Sequence, residues 1–124
     1  MTRRSVLVVE DDPDLRAMFR TALALSGFDV RVASDGLEAL HRVDSNPPDL
    51  IVLDIVMPRL DGIAVAKEIA AQAHTRNIPI VVVTGSAVQL DFVNVKCVLR
   101  KPVGGAELVR AVEACLASGA PPLA

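Results

Sequence analysis

The stretch "VLVVEDDPDL" (residues 6–15) joins an apolar run directly to three adjacent carboxylates, Glu10, Asp11 and Asp12. Further short apolar runs follow at regular intervals: "VRV" at 30–32, "LIVL" at 50–53, "IVVV" at 80–83 and "CVL" at 97–99. Most of these runs lack the polar alternation of a strand with one wet face. Continuous runs of this kind are typical of strands that are covered on both faces of a parallel sheet.

Helical patterns lie between these runs. The first begins at Asp12-Pro13, a good pairing of N-cap and first helical residue, and Gly27 is placed to end it. The apolar positions of the other three patterns are Leu37, Leu40 and Val43; Ile63, Ala66, Ile69 and Ala70; and Leu108, Val109, Val112 and Leu116. Strands that alternate with helices through right-handed crossovers predict an α/β fold with a doubly wound parallel sheet and helices on both faces.

Bulk properties exclude several function classes. The 124 residues predict one domain (1–124), with a core over about 4–117 and a flexible tail at 118–124. The net charge of -2 and the absence of Trp and Tyr argue against direct nucleic-acid binding. No apolar run approaches the roughly 20 residues of a membrane span. We interpret Cys97 and Cys115 as small buried hydrophobes in a reducing compartment, which favours a cytoplasmic protein.

Polar side chains follow four of the predicted strands. Glu10 and Asp11 follow the first strand, Asp54 ends the third, Thr84 ends the fourth and Lys101 follows the fifth. In an open parallel sheet, ligands bind outside the carboxyl ends of the strands. We therefore expect three acids, one hydroxyl and one ammonium group to gather at one edge. Each of these residues alone is weak evidence, because single acids are often helix caps and single lysines are often solvated.

Such an acidic cluster favours a hard cation. Two carboxylates about 5 Å apart repel each other by roughly 3 kcal/mol at an effective dielectric constant near 20. Either protons or a cation must relieve this repulsion, and oxygen ligands without His or Cys favour Mg²⁺. An aspartate beside such a metal can act as a nucleophile toward a phosphoryl group. A lysine and a threonine hydroxyl would then hold the remaining phosphoryl oxygens.

The motifs "VLVVEDDPDLR", "DLIVLDIVMPRLDG", "IPIVVVTG" and "RKPV" occur in an order that closely resembles the receiver domains of response regulators in two-component signalling. The resemblance covers roughly residues 4–116. It implies a flavodoxin-like sheet with strand order 2-1-3-4-5. It also implies that Asp54 is the phosphoacceptor, in a "D-x-x-M-P" setting with Met57 and Pro58.

The resemblance assigns roles to the other site residues as well. Glu10 and Asp11 form the acidic pair, with Asp11 a direct Mg²⁺ ligand and Glu10 acting through water, and the backbone carbonyl of Val56 is a further ligand. Thr84 is the switch hydroxyl. Lys101 pairs with the phosphoryl group, and its bond to the following proline is expected to be cis.

Several positions depart from the family pattern. Val98 stands where the family commonly has an aromatic residue, which puts the usual coupling to Thr84 in doubt. The spacing from Thr84 to Lys101 is shorter than usual, so we expect the fourth helix, over 86–96, to be shortened or missing. Glu10 replaces the more frequent Asp. Val56 offers no hydrogen bond to an attacking water, which predicts slow self-dephosphorylation.

We therefore expect a phosphoacceptor that takes a phosphoryl group from a histidine kinase or phosphotransfer protein onto Asp54 and then switches contact with a downstream protein target. A phosphate sink and an unphosphorylated scaffold are the alternatives, and no enzymatic turnover is expected. A haloacid-dehalogenase-like hydrolase would usually carry a second Asp at the position of Val56. A flavodoxin-like FMN site would be disfavoured because Glu10 and Asp11 repel phosphate.

Overall fold

The computed structural model of the chain describes residues 3–57, 61–85 and 94–117. Within these ranges the chain forms five strands and four helices. In chain order they are β1 (Ser5–Val9), α1 (Pro13–Leu25), β2 (Asp29–Ala33), α2 (Gly36–Ser45), β3 (Leu50–Asp54), α3 (Gly62–Ala71), β4 (Ile80–Thr84), β5 (Val95–Arg100) and α4 (Gly105–Ala117). The predicted doubly wound α/β fold is confirmed.

The strands form one parallel sheet in the order β2-β1-β3-β4-β5, as predicted. The buried strands β3 and β4 lie inside the sheet, and every residue of each is buried. The edge strand β5 instead alternates between half-buried and exposed side chains. The pairings of Val9 with Leu53 and of Asp54 with Val83 bring the carboxyl ends of the three inner strands to one level.

The core consists of two apolar layers, one on each face of the sheet. Alternate strand residues pack on α2 and α3, and the residues between them pack on α1 and α4. The first layer contains Leu7, Val9, Ile51, Leu53, Ile80 and Val82. The second contains Val6, Val8, Leu50, Val52, Val81 and Val83. Full burial of each such side chain contributes about 1.5–3 kcal/mol, so packing on both faces fixes where each strand ends.

Helix α1 starts and stops where the sequence predicts. The Asp12 carboxylate accepts hydrogen bonds from the amides of Asp14 (2.9 Å) and Leu15 (3.3 Å), which caps the first turn. At the other end Gly27 has a φ of 98°, a conformation that favours glycine, and its amide donates to the carbonyl of Ala24 at 3.1 Å. The helix therefore begins directly after the acidic residues that follow β1.

Two details of the predicted core are wrong. Leu37, predicted on the apolar face of α2, is 57% exposed, because Gly36, Ala39 and Val43 form the face that meets the sheet. Cys97 and Cys115 are free thiols that pack against the layer beneath α1 and α4, but each is only partly buried. Cys97 lies on the edge strand β5, where neighbouring elements give less cover.

Some predictions fall outside the described residues. The shortened helix was expected over 86–96, of which 86–93 are not described, and the flexible tail at 118–124 and Pro58 are not described either. Of this segment residues 94–96 are described, and β5 begins there at Val95. Among the described helices none is long and apolar enough to cross a membrane.

Candidate functional site

Three carboxylates meet at the carboxyl ends of β1 and β3. Glu10 and Asp11 follow β1 directly, and Asp54 is the last residue of β3. One oxygen from each of the three lies within 4.8 Å of the others. The structure therefore brings together the acids that the sequence placed at separate strand ends.

The three acids differ in burial. Glu10 is 1% exposed and Asp54 is 3% exposed, whereas Asp11 is exposed. The cluster thus has a buried floor formed by Glu10 and Asp54 and an open side formed by Asp11. A cation could reach this site from solvent and still contact carboxylates that water reaches poorly.

Lys101 brings the opposing charge into the cluster. Its Nζ lies 3.1 Å from Glu10 Oε1 and 3.3 Å from Asp54 Oδ2, and its side chain is 27% exposed. Its backbone amide donates to the carbonyl of Thr84 at 2.8 Å, which ties the end of β5 to the end of β4. The Lys101-Pro102 peptide bond is cis, as the resemblance to receiver domains implies.

Burial and the close packing of charges in the cluster shift the pKa values of Glu10 and Lys101. Burial, with a smaller contribution from the charge of Asp54, raises the pKa of Glu10 from 4.5 to about 7, although the amide of Asp12 donates a hydrogen bond to its carboxylate. Burial alone would lower the pKa of Lys101, but contact with Glu10 and then with Asp54 outweighs it and raises that pKa. Glu10 and Lys101 therefore both hold their protons more tightly than the isolated side chains would.

The donor set fits a hard divalent cation. Glu10 Oε1 is buried and is paired with the Lys101 ammonium group at 3.1 Å. The gathered ligand atoms are all carboxylate oxygens, which is the donor type that Mg²⁺ prefers. When ionised, the three carboxylates carry more negative charge than Lys101 balances, which is the chemistry expected of a site for such an ion.

The remaining predicted residues lie around this cluster. The amide of Val56 donates to Asp54 Oδ1 at 3.2 Å, so the backbone after β3 orients the Asp54 carboxylate. The Val56 side chain is 66% exposed. Thr84, the last residue of β4, is fully buried, and Val98 on β5 is 40% exposed. The structure thus places Thr84 at the same sheet edge as the acids.

Gly62 is a supporting residue whose role the sequence analysis missed. A Cβ at Gly62 would lie 2.3 Å from the carbonyl oxygen of Asp54 and 2.6 Å from the Cα of Ile55. The Gly62 amide donates to the Ile55 carbonyl at 2.8 Å, and the preceding Asp61 caps α3 through the amide of Ala64. The absence of a side chain at Gly62 therefore lets α3 start against the backbone of the strand that ends in Asp54.

Arg16 is the other supporting residue that the sequence analysis missed. Its Nη1 donates to the carbonyl of Glu10 at 3.0 Å and, at the longer distance of 3.4 Å, to that of Asp11. A basic residue four positions after the N-cap Asp12 was the available signal, because the first turns of a helix can reach back to the segment before it.

Comparisons with known proteins agree with this geometry. A family model described as "Response regulator receiver domain" matches residues 6–113. The chain is 42% identical over 121 residues to the transcriptional regulatory protein PrrA of Mycobacterium tuberculosis, covering 94% of this chain and 51% of PrrA. It is 42% identical over 79 residues to the response regulator MprA of Mycobacterium sp. (strain KMS), covering 64% of this chain and 34% of MprA. The chain thus spans about half the length of PrrA and about a third of MprA.

Solved structures show the same fold. The chemotaxis response regulator CheY4 of Vibrio cholerae matches with a TM-score of 0.85 and 27% identity, over 91% of this chain and 98% of CheY4. The receiver domain of the Francisella response regulator 1452 matches with a TM-score of 0.82 and 29% identity, over 94% of this chain and 98% of that domain.

Proposed function

The chain belongs to the response regulator receiver domain family, and on that premise we propose that it is a phosphoryl-accepting switch of a two-component phosphorelay. Supporting this proposal is one observation above all: Lys101 Nζ contacts both Glu10 and Asp54, while Asp11 completes the acidic cluster. The cluster combines a buried nucleophile with an open cation site and a fixed positive charge.

Asp54 is the proposed phosphoacceptor. One of its carboxylate oxygens attacks the phosphorus of the donor, forming an acyl phosphate as the bond from phosphorus to the donor's leaving atom breaks. The amide of Val56 holds Oδ1, and Lys101 contacts Oδ2. Both contacts fix the orientation of the carboxylate before the donor arrives, which reduces the entropy loss on reaching the transition state.

Glu10, Asp11, Asp54 and the backbone carbonyl of Val56 are the proposed ligands of Mg²⁺. When bound, the ion supplies positive charge against the phosphoryl oxygens. Glu10 and Asp54 hold the buried side of the site and Asp11 the exposed side. The hydrogen bond from the Asp12 amide to Glu10 Oε2 (3.2 Å) keeps the Glu10 carboxylate turned toward the cluster.

Lys101 and Thr84 are proposed to hold the transferred phosphoryl group. Lys101 has a raised pKa and therefore remains a cation at neutral pH. The phosphoryl group adds a charge of about -1.5 to -2, and its oxygens become partners for the ammonium group and the hydroxyl. Movement of Thr84 and its loop toward this charge would shift an existing equilibrium between two states of the chain.

A histidine kinase or phosphotransfer protein is the proposed donor, and a downstream protein is the proposed target. The matched relatives include a protein named as a transcriptional regulator. This chain spans about half of that protein, so we propose a downstream target only as a protein and assign it no transcriptional role. A phosphate sink would use the same site without a downstream target, and a scaffold would not use Asp54 at all.

Phosphorylation by a small donor tests the proposal. Wild type and Asp54→Asn are incubated with acetyl phosphate, with and without Mg²⁺, and intact mass is measured. We expect one phosphoryl group on the wild type only in the presence of Mg²⁺, and none on Asp54→Asn. Equal modification of both proteins would remove Asp54 from its proposed role, and an unmodified wild type would favour the scaffold.

A further inference from the structure

Arg16 contacts the backbone of the acidic pair rather than its carboxylates. Its Nη1 donates to the carbonyls of Glu10 (3.0 Å) and Asp11 (3.4 Å), and Arg16 is partly buried. We propose that Arg16 is a positioning residue that fixes the turn carrying Glu10 and Asp11 for a divalent cation. This inference rests on the part of the proposed function that makes Glu10 and Asp11 ligands of Mg²⁺.

The turn needs such a contact because the sheet ends just before it. The amide of Glu10 still donates to the carbonyl of Ala33 on β2 at 3.1 Å, but the last paired residue of β1 is Val9. Beyond that point the chain leaves the sheet to reach the cap of α1 at Asp12. A guanidinium group makes strong charge-assisted hydrogen bonds, and the two hydrogens on Nη1 allow this one nitrogen to donate to both carbonyls. Arg16 therefore supplies hydrogen bonds to the backbone at the point where strand pairing ends.

The choice of carbonyls leaves the carboxylates available. Among the described residues Arg16 makes no ion pair with Glu10 or Asp11, whereas Lys101 contacts Glu10 directly. A cation that bonded the carboxylates would compete with a metal for the same oxygens. Arg16 instead contacts the backbone of the turn and does not occupy the carboxylate oxygens of Glu10 and Asp11.

The positive charge of Arg16 and its contacts with the turn should have opposite effects on the affinity for a divalent cation, and this difference makes the inference testable. Removing a positive charge near the site would by itself strengthen the binding of a divalent cation. Loss of the fixed turn would weaken it, since outer partners of metal ligands typically contribute 10–100-fold in affinity. We expect the loss of the fixed turn to outweigh the loss of charge, because Arg16 Nη1 contacts the backbone of Glu10 and Asp11, two of the proposed metal ligands.

The experiment is a calorimetric titration of the full chain with MgCl₂, without any phosphoryl donor. Arg16→Gln should bind Mg²⁺ about tenfold more weakly than wild type, and Arg16→Lys, which keeps the charge but ends one bond short of the Nη1 position, should also bind more weakly. The control is Arg20→Gln, one turn further along α1, where the arginine is exposed; its affinity should be unchanged or slightly stronger. Unchanged or tighter binding by Arg16→Gln, or wild-type affinity in Arg16→Lys, would overturn the assignment.

Hydrogen exchange of the metal-free proteins gives a second readout. The amide of Asp12 donates to Glu10 Oε2 at 3.2 Å and so reports the geometry of the turn. Its exchange should be faster in Arg16→Gln than in wild type or Arg20→Gln, while amides of β3 and β4 keep their protection if the variant is folded. Unaltered exchange at Asp12 would contradict the positioning role. Neither measurement involves phosphoryl transfer, so failure of phosphorylation alone would refute the proposed function and leave this inference standing.

Discussion

Lys101 Nζ lies 3.1 Å from Glu10 Oε1, although Lys101 follows the edge strand β5 and Glu10 follows β1, which is three places away in the sheet. The lysine side chain thus reaches across the end of β4 to the acids beyond β3 and β1. In doing so it supplies positive charge at the position where three carboxylates would otherwise repel one another. The contact therefore links the segment after β5, the last strand in the chain, to the segment after β1, the first strand in the chain.

Glu10 should make the metal-free protein less stable as the pH rises. Its pKa is about 7 in the folded chain and near 4.5 when unfolded. Between these values the folded state holds a proton that the unfolded state has lost, so the free energy of unfolding falls as the pH rises through this window, by up to about 3 kcal/mol. The advantage of Glu10→Gln over wild type should therefore grow from pH 5 to pH 8 in urea unfolding with a chelator.

Glu38→Gln provides a control of opposite sign. A hydrogen bond from the Ser34 amide lowers the pKa of Glu38, so its ionised form stabilises the folded chain above the unfolded pKa and this stabilisation is lost as the pH falls. Glu38→Gln should thus be less stable than wild type at neutral pH and approach it in acid. A difference between wild type and Glu10→Gln that does not change with pH would contradict the account of Glu10.

Magnesium should stabilise the protein through Asp11. At a concentration of ten times the dissociation constant, a ligand that binds only the folded state adds about 1.4 kcal/mol. We expect Mg²⁺ to raise the melting temperature of wild type, and Asp11→Asn to lose most of this increase because a neutral amide is a weaker ligand. The matched control is Asp12→Asn, which changes the neighbouring acid and keeps a good N-cap residue. Equal responses of both variants would place the ion elsewhere.

Gly62→Ala should damage both the fold and the site. Its Cβ would meet the backbone of Asp54 and Ile55 at distances that require α3 or the end of β3 to shift. We expect a loss of roughly 2–4 kcal/mol in the free energy of unfolding, together with weaker Mg²⁺ binding. Gly104→Ala is the control, because a Cβ there meets nothing within 4 Å. Chemical denaturation of both variants compares them, and similar losses would argue against the close approach at Gly62.

Val56→Asn should shorten the lifetime of the acyl phosphate. The exposed valine cannot hydrogen-bond a water that attacks the phosphorus, whereas asparagine can. One added hydrogen bond worth about 1 kcal/mol in the transition state corresponds to about fivefold faster hydrolysis. Decay of the phosphorylated protein after removal of the donor gives the rate. The control is Val98→Asn, which makes the same substitution at an exposed valine on β5. Decay of phosphorylated Val56→Asn at or below the wild-type rate would count against this explanation.

Much of the fold follows from the sequence because its signals are local. Continuous β-branched runs mark the buried strands, and Asp12-Pro13 and Gly27 mark the ends of α1 through backbone preferences that depend little on the rest of the chain. The strand order 2-1-3-4-5 is instead implied by the resemblance to receiver domains, because right-handed connections limit the possible orders without choosing one. Leu37 shows the limit of such reasoning, because its exposure depends on which side of α2 meets the sheet.

The candidate site was predictable as a set of residues but not as an arrangement. The ends of parallel strands meet at one edge, so the meeting of Asp54 with Glu10 and Asp11 could be anticipated. The burial of Glu10, the reach of Lys101 and the close approach at Gly62 depend on side-chain and backbone positions set by tertiary packing. No periodicity in the sequence encodes those distances.

Mapping the phosphoryl group on wild-type protein tests the central claim most directly. The chain is treated with acetyl phosphate and Mg²⁺, digested, and analysed by fragment-ion mass spectrometry under conditions that preserve acyl phosphates. We predict a single modified peptide whose fragments place the phosphoryl group on Asp54, and no modification when Mg²⁺ is chelated. A phosphoryl group on any other residue, or the same yield without a divalent cation, would contradict the account.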